Sequence, residues 1–334
     1  MRILFIGGTG NISAECAAWL HERGHEIVVV SRGRSEIPPA YRSVVADRKD
    51  PVALRAALRG AACDVAIDFV AFELAEVQLD YELFRDSVRQ FIFISSTTVY
   101  ARPPARLPFT EDSPLGNAYW DYAQKKEQCE DWLRARHAEN GFPVTIVRPS
   151  HTYSKRWIPN PVSSASYSFA ARLERGEPVY VPGSGDTPWT LTAASDFAAA
   201  LGGLAGHPQA IGEAFHITSD EVLSWNRIVT EISVALGAGQ PHIVPVPTDF
   251  ICQVAPRMIG TLQGDKAHPG VFDNAKIKRF VPGFRARKTF AEGVRESVDW
   301  LRRHPEHQNL NPQVDATIEE VLQAWQQRQH AASQ

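Results

Sequence analysis

Cysteine is scarce in this sequence, and the few cysteines show no spacing that a metal site or a redox pair requires. Four occur among 334 residues, none in a CxxC pair and none beside clustered histidines. This pattern argues against a disulfide-stabilised scaffold and indicates reduced, mostly buried thiols with no metal site, as is typical of a cytoplasmic protein. The four positions are Cys16, Cys63, Cys129 and Cys252.

Positive charge is not in excess, and long apolar runs are missing. Lysine and arginine number 35 against 38 acidic residues, a formal net charge of −3. Such a chain has no overall field that attracts nucleic acid or an anionic membrane. No apolar run approaches the roughly 18 residues that span a bilayer, and the N-terminus does not resemble a signal peptide. We expect a cytoplasmic protein without nucleic-acid or membrane partners.

What the sequence does contain is a glycine-rich turn directly after a short apolar run at the N-terminus. Residues 3–6 are typical of a buried strand, and apolar residues from 14 to 23 have helical spacing. Glycines at a strand-to-helix turn let the backbone approach a pyrophosphate, whose charge the helix N-terminus favours. An ordinary tight turn is the alternative. The context predicts dinucleotide binding by Gly7, Gly8, Thr9, Gly10, Asn11 and Ile12.

Strands and helices alternate through the first half of the chain, and several strands are apolar along nearly their whole length. Such strands belong to a parallel sheet covered on both faces. The pattern predicts an α/β fold with a doubly wound (Rossmann) sheet and ligands at the carboxyl ends of its strands. Strands are predicted at 3–6, 26–30, 43–46, 65–70, 90–95 and 144–148. Helices are predicted at 12–23, 51–59, 75–88 and 119–140.

Prolines and glycines become frequent after Pro149, and the periodic segments shorten. We therefore expect a dinucleotide-binding domain at residues 1–150, and a smaller α+β substrate-binding cap at 151–189 and 219–315. A helix at 194–204 and a strand at 214–218 are expected to return to the main sheet, within about 190–218. A helix at 225–236 is expected in the cap, and residues 316–334 are expected to form a surface helix that frays.

Tyr122 and Lys126 lie four residues apart on a predicted helix, which places both side chains on one face. A tyrosine hydroxyl ionises near pH 10, but a neighbouring ammonium and the positive nicotinamide of an oxidised cofactor would favour the phenolate. Tyr122 could then take a proton from a substrate alcohol as hydride leaves its carbon. Lys126 could also donate to the nicotinamide ribose. A chance YxxxK match among eight tyrosines is the alternative.

Ser96 follows the predicted strand at 90–95. A hydroxyl at the carboxyl end of a central strand can donate to the substrate oxygen and polarise it. A serine at this place could instead only cap or turn the chain. The presence of Tyr122 and Lys126 downstream favours the catalytic interpretation.

Five motifs, in order, resemble those of the extended short-chain dehydrogenase/reductase superfamily, in particular its NAD(P)-dependent epimerase/dehydratase family. They are GGTGNIS from residue 7, ISSTTVY from 94, YAQKK from 122, VTIVRPSHTY from 144 and GSGDTPWTLTAASDFAAAL from 183. The resemblance extends to about Leu301 and implies hydride-transfer chemistry with Ser96, Tyr122 and Lys126 as the catalytic triad. It also implies that Pro149 borders the cofactor and that a homodimer forms through the helices at 75–88 and 119–140.

Several departures from the family pattern bear on the turn and the substrate. Ser13 replaces the last glycine of the family's GxxGxxG turn, and its small side chain should still permit close packing. Thr97 and Thr98 replace the Asp-Glu pair of sugar dehydratases, which disfavours dehydration. His151 replaces an asparagine, and it could donate to substrate or hydrogen-bond within the cap.

Nucleotide-sugar epimerases of this family usually place an arginine that grips a diphosphate near the position of Trp189. Its indole can stack on a sugar or a base but cannot neutralise phosphate. We expect the substrate to contact Thr97, Thr98, His151 and Trp189. Three basic residues could substitute for the missing arginine, namely Lys155, Arg156 and Arg257.

The end of the second strand bears on the identity of the cofactor. NAD preference needs a carboxylate there for the ribose 2′-OH, about 20 residues past the glycines, whereas the sequence reads Ser31-Arg32-Gly33-Arg34. Because arginine binds a 2′-phosphate bidentately, we expect NADP, with NAD as the alternative; both arginines could also cover adenine or point to solvent. Asp47 resembles the family's adenine-contacting aspartate, or it caps the next helix.

Together these features predict an NAD(P)-dependent epimerase-type oxidoreductase acting on a carbinol of a sugar, nucleoside or nucleotide-sugar, with tyrosine as general acid/base. An epimerase oxidises the carbinol, lets the keto intermediate rotate, and returns hydride to the opposite face. A net NADP-dependent dehydrogenase or reductase of a small carbonyl or sugar substrate is the first alternative. The second is a non-catalytic cofactor-binding protein that associates with RNA, as chloroplast stem-loop-binding members of the superfamily do. The acidic charge balance counts against that alternative.

Overall fold

The computed structural model describes residues 1–163 and 166–333. Its centre is a seven-stranded parallel sheet in the order β3-β2-β1-β4-β5-β6-β11, which confirms the doubly wound α/β fold. The strands are β1 Arg2–Ile6, β2 Glu26–Ser31, β3 Arg42–Val45, β4 Val65–Asp68, β5 Gln90–Ile94, β6 Val144–Pro149, β7 His151–Tyr153, β8 Val179–Pro182, β9 Pro188–Trp189, β10 Leu191–Ala193, β11 Ala214–Ile217, β12 Leu223–Ser224 and β13 Ile243–Val246.

The helices surround this sheet and build the cap. They are α1 Ser13–His21, α2 Pro51–Leu58, α3 Leu74–Phe84, α4 Asp121–Asn140, α5 Ser168–Glu174, α6 Ala194–Leu204, α7 Trp225–Leu236, α8 Thr248–Val254, α9 Ile259–Thr261, α10 Ala275–Phe280, α11 Phe290–Arg303 and α12 Pro312–Ala332. A π-helix, Leu262–Lys266, directly follows α9. Among the described residues, no helix is both long enough and apolar enough to cross a membrane.

Alternate residues of the central strands pack against opposite helical layers, as the side-chain period of two requires. Ile3 and Phe5 of β1 belong to a buried cluster with residues of α1 and α6. Leu4 and Ile6 belong to the cluster on the other face, with residues of α2, α3 and α4. Both faces of the sheet are therefore covered, which explains why its strands are apolar along nearly their whole length.

The strands and helices predicted from residue spacing are all present, with small shifts at their ends. The helices predicted at 194–204 and 225–236 have those limits. The predicted strand at 65–70 ends two residues earlier, at Asp68. The carboxylate of Asp68 accepts hydrogen bonds from the backbone N–H groups of Val70 and Ala71, which turns the chain out of the sheet.

The C-terminal helix contains the surface helix expected at 316–334 and extends it toward the N-terminus. It begins earlier, at Pro312, where the side chain of Asn311 accepts a hydrogen bond from Gln313 N–H. Ile318 and Val321 are fully buried in the apolar core of the cap. Burying these aliphatic side chains stabilises the helix, so one face of α12 is part of the cap core.

Candidate active site

The glycine turn after β1 is built so that no side chain can replace Gly7. Its φ of +84° is in the left-handed region, and an added Cβ would lie 2.5 Å from Cγ1 of Val70. The Gly7 N–H donates to the carbonyl of Val30, 3.0 Å away, which fixes the turn against β2. The turn therefore presents bare backbone at the carboxyl end of the central strand, as close approach to a pyrophosphate requires.

Ser13, which stands where the family has its last glycine, connects both ends of this turn. Its hydroxyl accepts a hydrogen bond from Gly10 N–H at 2.8 Å and donates to the Gly7 carbonyl at 2.6 Å. The side chain is buried, and it thus ties the turn to the start of α1. The serine permits close packing, as expected, and adds two hydrogen bonds that glycine cannot make.

Asn11 connects the glycine turn to the segment after β6. Its amide nitrogen donates to the Thr152 carbonyl at 3.0 Å, and its amide oxygen accepts hydrogen bonds from Ser154. Asn11 lines the crevice as expected, but its side chain is engaged with the protein. Gly8, also predicted to bind the cofactor, is not among the lining residues; it packs on the Val29 side chain, which an added Cβ would meet at 3.0 Å.

Two cavities lie on either side of the glycine turn and share Gly7, Gly10, Val70 and Phe72 as lining residues. The smaller one, about 380 Å³, contains the residues predicted for the adenosine end of a cofactor: Thr9, Ser31, Arg32, Arg34 and Asp47. The larger one, about 510 Å³, contains those predicted for the reaction: Ile12, Ser96, Thr97, Thr98, Tyr122, Lys126, Pro149 and His151. The two cavities therefore adjoin at the glycine turn, an arrangement that fits the two ends of a dinucleotide.

Arg48, which the sequence analysis overlooked, lines the smaller cavity from within a buried ionic cluster. Its guanidinium pairs with the fully buried carboxylates of Asp68 and, at 2.6 Å, Asp80. It also donates to the Glu76 carbonyl at 2.9 Å. The sequence signal was Asp68, a charged residue at the end of an otherwise apolar strand, because a buried carboxylate demands a partner.

Lys126 is fully buried on α4, and its side chain reaches the carboxyl ends of β4 and β5. Its ammonium donates to the carbonyls of Ala71, at 2.7 Å, and Ile94, at 2.8 Å. Burial lowers the pKa of Lys126 to about 8, with the nearby charge of Asp68 acting in the opposite direction. The ammonium lies 5.9 Å from the centre of the Tyr122 ring, so the two residues share one face of the helix.

Burial raises the pKa of the Tyr122 hydroxyl to about 12. A hydrogen bond with Ser96 opposes this rise, and the negative charge of Asp265 adds to it. The chain's own groups therefore keep the hydroxyl protonated at neutral pH. We expect two positive charges, the Lys126 ammonium and an oxidised nicotinamide, to favour the phenolate. Since the hydroxyl stays protonated without a cofactor, the charge of the nicotinamide is needed as well.

Ser96 both caps a turn and lines the larger cavity, so its two interpretations are compatible. Its hydroxyl oxygen accepts hydrogen bonds from Thr98, at 3.2 Å from the backbone N–H and 2.9 Å from the side chain. Thr97 and Thr98 are buried in the following 3₁₀ turn and also line the cavity. Three hydroxyl-bearing residues after β5 therefore line the same cavity as Tyr122.

His151 lines the larger cavity from the cap side, whereas Trp189 does not. Burial, reinforced by the charge of Lys266, lowers the pKa of His151 to about 3, so the ring is neutral. Trp189 is 3% exposed and packs on Trp225, with ring centres 5.1 Å apart. This corrects the prediction of a stacking platform at Trp189: the indoles that line the cavity are those of Trp120 and Trp157.

The expected substitutes for a diphosphate-gripping arginine also lie outside this cavity. Arg257 pairs with Glu320 on the cap surface, and Lys155 and Arg156 are exposed. Instead, Asp265 and Lys266 of the π-helix line the cavity, and both are buried. No short motif marks them, because their place depends on how the cap folds over the strand ends.

Comparisons with known proteins agree with this geometry. A family model described as the NAD dependent epimerase/dehydratase family matches residues 3–218, and the chain belongs to that family. It is therefore an NAD(P)-dependent enzyme of the extended short-chain dehydrogenase/reductase type. The chain is 27% identical over 312 residues to the 2′-dehydrokanamycin reductase of Streptomyces kanamyceticus, which covers 91% of this chain and 85% of that protein.

Two further likenesses show how widely the fold is used. Chloroplast stem-loop binding protein of 41 kDa b of Arabidopsis thaliana is 27% identical over 267 residues, covering 75% of this chain and 68% of that protein. The UDP-glucose 4-epimerase of Bifidobacterium longum, solved with NAD+ and UDP, superposes with a TM-score of 0.73 at 19% identity. The superposition covers 92% of this chain and 100% of the epimerase chain. At this identity the likeness shows the fold alone.

Proposed function

We propose that this protein is an epimerase-type oxidoreductase that acts on a carbinol of a sugar, nucleoside or nucleotide-sugar. One observation carries the proposal: Ser96, Tyr122 and Lys126 line one cavity, and glycines of the turn after β1 line the same cavity. Hydroxyl donors, a titratable phenol and a buried ammonium at the carboxyl ends of parallel strands suit proton transfer beside hydride transfer.

Each residue of the triad has its own task. Tyr122 takes the proton of the substrate hydroxyl during oxidation and returns it during reduction. Ser96 donates to the substrate oxygen and stabilises the charge that develops there. Lys126, held by two backbone carbonyls, favours the phenolate and donates to the cofactor ribose. A bound nicotinamide cofactor supplies the hydride acceptor and donor.

We propose NADP as the cofactor, with the glycine turn holding its pyrophosphate. Arg32 and Arg34 line the smaller cavity and are exposed, so both guanidiniums are available to a 2′-phosphate. Asp47 lines the same cavity and suits the adenine end. NAD is the alternative outcome, since carboxylates of Asp47 and Glu76 also border that cavity.

Release of the cofactor separates epimerase from reductase. Purified protein is heat-denatured, and the supernatant is analysed for NADP(H) and NAD(H). A stoichiometric amount of dinucleotide supports epimerisation, in which the cofactor is retained. A protein that carries no dinucleotide and consumes free NADPH is a net reductase. The name of the Streptomyces relative favours this alternative.

RNA affinity above physiological salt without any carbinol oxidation would support the RNA-associated alternative.

The domain division and the homodimer also belong to this proposal. The crevice lies between the sheet of residues 1–150 and the segment 151–189, as a cap that closes over substrate requires.

We propose that copies pair through the helices predicted at 75–88 and 119–140, which correspond to α3 and α4. Light scattering of the purified protein gives the oligomeric state, and a monomeric mass contradicts the pairing.

A further inference from the structure

Lys266 carries a buried ammonium group at the wall of the larger cavity. The residue is 5% exposed and lines the cavity together with Tyr122 and Ser96. Among the residues that the structure describes, none accepts a hydrogen bond from its Nζ, and no carboxylate lies within ion-pair distance of it. A buried ammonium without a partner is unfavourable. Burial lowers the pKa of Lys266, and the carboxylate of Asp265 acts in the opposite direction. An anionic ligand in the cavity would favour the charged form of this lysine.

The carboxylate of Asp265 is the negative charge that acts on Lys266, but a second cation shares it. Asp265 is adjacent in sequence, but its carboxylate lies 3.6 Å from the guanidinium of Arg102, which is itself buried. His151, on the same cavity wall, is held neutral. Within the described part of the chain, Lys126 is the other ammonium that lines the cavity, and its hydrogen bonds go to two carbonyls.

The backbone around Lys266 is fixed relative to the catalytic hydroxyl groups. Its carbonyl accepts a hydrogen bond from the Trp225 indole at 2.9 Å. Two residues earlier, the Gly264 carbonyl accepts one from the amide of Asn117 at 2.6 Å, and the same amide donates to the Thr98 carbonyl at 2.7 Å. Asn117 thus connects the π-helix directly to the turn that contains Ser96. These contacts hold the Cα of Lys266 at the cavity wall.

We propose that Lys266 forms a subsite for a carboxylate carried by the substrate itself, close to the reacting carbinol. A single ammonium matches a monoanion, whereas a diphosphate calls for more positive charge than this cavity offers. The substrate class would then be a sugar acid or another hydroxy acid. This inference rests on the proposed function of the same cavity, and it adds the charge of the substrate.

The test measures binding rather than turnover. Cofactor-loaded protein is titrated with glucuronate, glucose and glucose 6-phosphate by isothermal titration calorimetry, for the wild type and three variants. Lys266→Met removes the charge and keeps the length, and Lys266→Arg keeps the charge. Lys155→Met removes an exposed lysine that does not line the cavity. Thermal unfolding checks the fold, and we expect Lys266→Met to melt no earlier than the wild type because it loses an unpaired buried charge.

We expect the wild type to bind glucuronate at least tenfold more tightly than glucose. Lys266→Met should remove this preference and leave glucose binding unchanged, while Lys266→Arg retains most of it and Lys155→Met retains all of it. Equal affinities in the wild type, or equal losses for both sugars in Lys266→Met, would overturn the subsite. Tighter binding of glucose 6-phosphate than of glucuronate would overturn the choice of a carboxylate.

This experiment also separates the subsite from the proposed function. Glucuronate binding that depends on Lys266, in a protein that transfers hydride to or from no carbinol, refutes the function and leaves the subsite intact. Oxidation of carbinols in which sugar acids and neutral sugars show the same kcat/KM in the wild type and in Lys266→Met refutes the subsite and leaves the function intact.

Discussion

The ammonium of Lys126 lies 5.9 Å from the centre of the Tyr122 ring, but its hydrogen bonds go to two backbone carbonyls and not to the phenol. One of those carbonyls belongs to Ala71, whose own N–H is held by Asp68. The position of the lysine charge is therefore set by the loop that follows β4. The distance between the lysine charge and the phenol therefore depends on this loop as well as on the spacing of the two residues along α4.

Replacing Tyr122 with phenylalanine tests the proton-transfer role. We expect Tyr122→Phe to lower turnover by at least two orders of magnitude, with cofactor affinity nearly unchanged, because only the hydroxyl is lost. Steady-state kinetics and cofactor titration measure the two quantities. Tyr119→Phe is the matched control, since Tyr119 is 42% exposed. Near-normal turnover of Tyr122→Phe would contradict the assignment.

The lowered pKa of Lys126 predicts how stability changes with pH. The folded state releases this proton from about pH 8, whereas the unfolded state holds it to about 10.5. Below pH 8 both states are protonated, and the wild type bears the full cost of the buried charge. The free energy of unfolding of the wild type minus that of Lys126→Met should rise with pH between these values.

The size of that rise follows from the shift in pKa. We expect roughly 1 to 3 kcal/mol between pH 8 and pH 10.5. Chemical denaturation of both proteins across this range measures the difference, and the subtraction removes the titration of tyrosines and cysteines that both proteins share. A difference that stays flat or falls with pH would show that Lys126 keeps an ordinary pKa in the folded protein.

Asp68 and Asp80 form a matched pair for testing the loop after β4. Both are fully buried partners of Arg48, but Asp68 alone of the two holds the loop that contacts Lys126. Asp68→Asn keeps an acceptor and removes the charge that raises the Lys126 pKa. In the pH profile of carbonyl reduction, we expect the high-pH decline in kcat to begin at a pH lower by half a unit or more.

Asp80→Asn should leave that pH unchanged, although both variants lose an Arg48 partner and both should be less stable. The measurement is kcat as a function of pH, with thermal unfolding recorded for each variant. Equal displacement of the two profiles would mean that the cluster acts only on stability. In that case Asp68 would not be a positioning residue for Lys126.

Arg32 tests the choice between NADP and NAD. If its guanidinium binds the 2′-phosphate, Arg32→Asp should reverse the preference, because the new carboxylate repels phosphate and accepts from a ribose hydroxyl. Arg59→Asp makes the same change of charge at an exposed position outside the smaller cavity. The ratio of the two dissociation constants is measured for each variant, and an unchanged ratio in Arg32→Asp rejects the role.

Ser13→Ala removes both hydrogen bonds that join Gly7 and Gly10 across the glycine turn. We expect a loss of about 1 kcal/mol for each bond in the free energy of unfolding, and weaker cofactor binding, because the turn loses its tie to α1. Denaturant unfolding and cofactor titration give both values. Unchanged cofactor affinity would indicate that the backbone alone holds the turn.

The catalytic candidates were predictable because their signals are local. The glycine turn lies between a strand and a helix, Tyr122 and Lys126 share a helix face through i, i+4 spacing, and Ser96 ends a buried strand. Arg48 was overlooked because its partners Asp68 and Asp80 lie 20 and 32 residues further along the chain.

Trp189 was predicted to contact the substrate, but it does not line the larger cavity. Its position in a motif indicated a substrate platform, but the cap packs it against Trp225. Burying a large indole in the core stabilises the fold more than leaving it on an open cavity wall. Whether an indole is buried depends on which segments pack against it. The indoles of Trp120 and Trp157 take the cavity positions because of where their segments fold.

The amino-acid sequence alone determined the parallel sheet, the glycine crevice and the alignment of phenol and ammonium, since each follows from periodicity or spacing within about thirty residues. Tertiary structure alone decided which charged residues line the larger cavity. Lys266 reaches the cavity through a π-helix that Asn117 and Trp225 hold in place, from segments far apart in sequence. Burial and pairing depend on contacts between such segments, so these charges were not readable from local pattern.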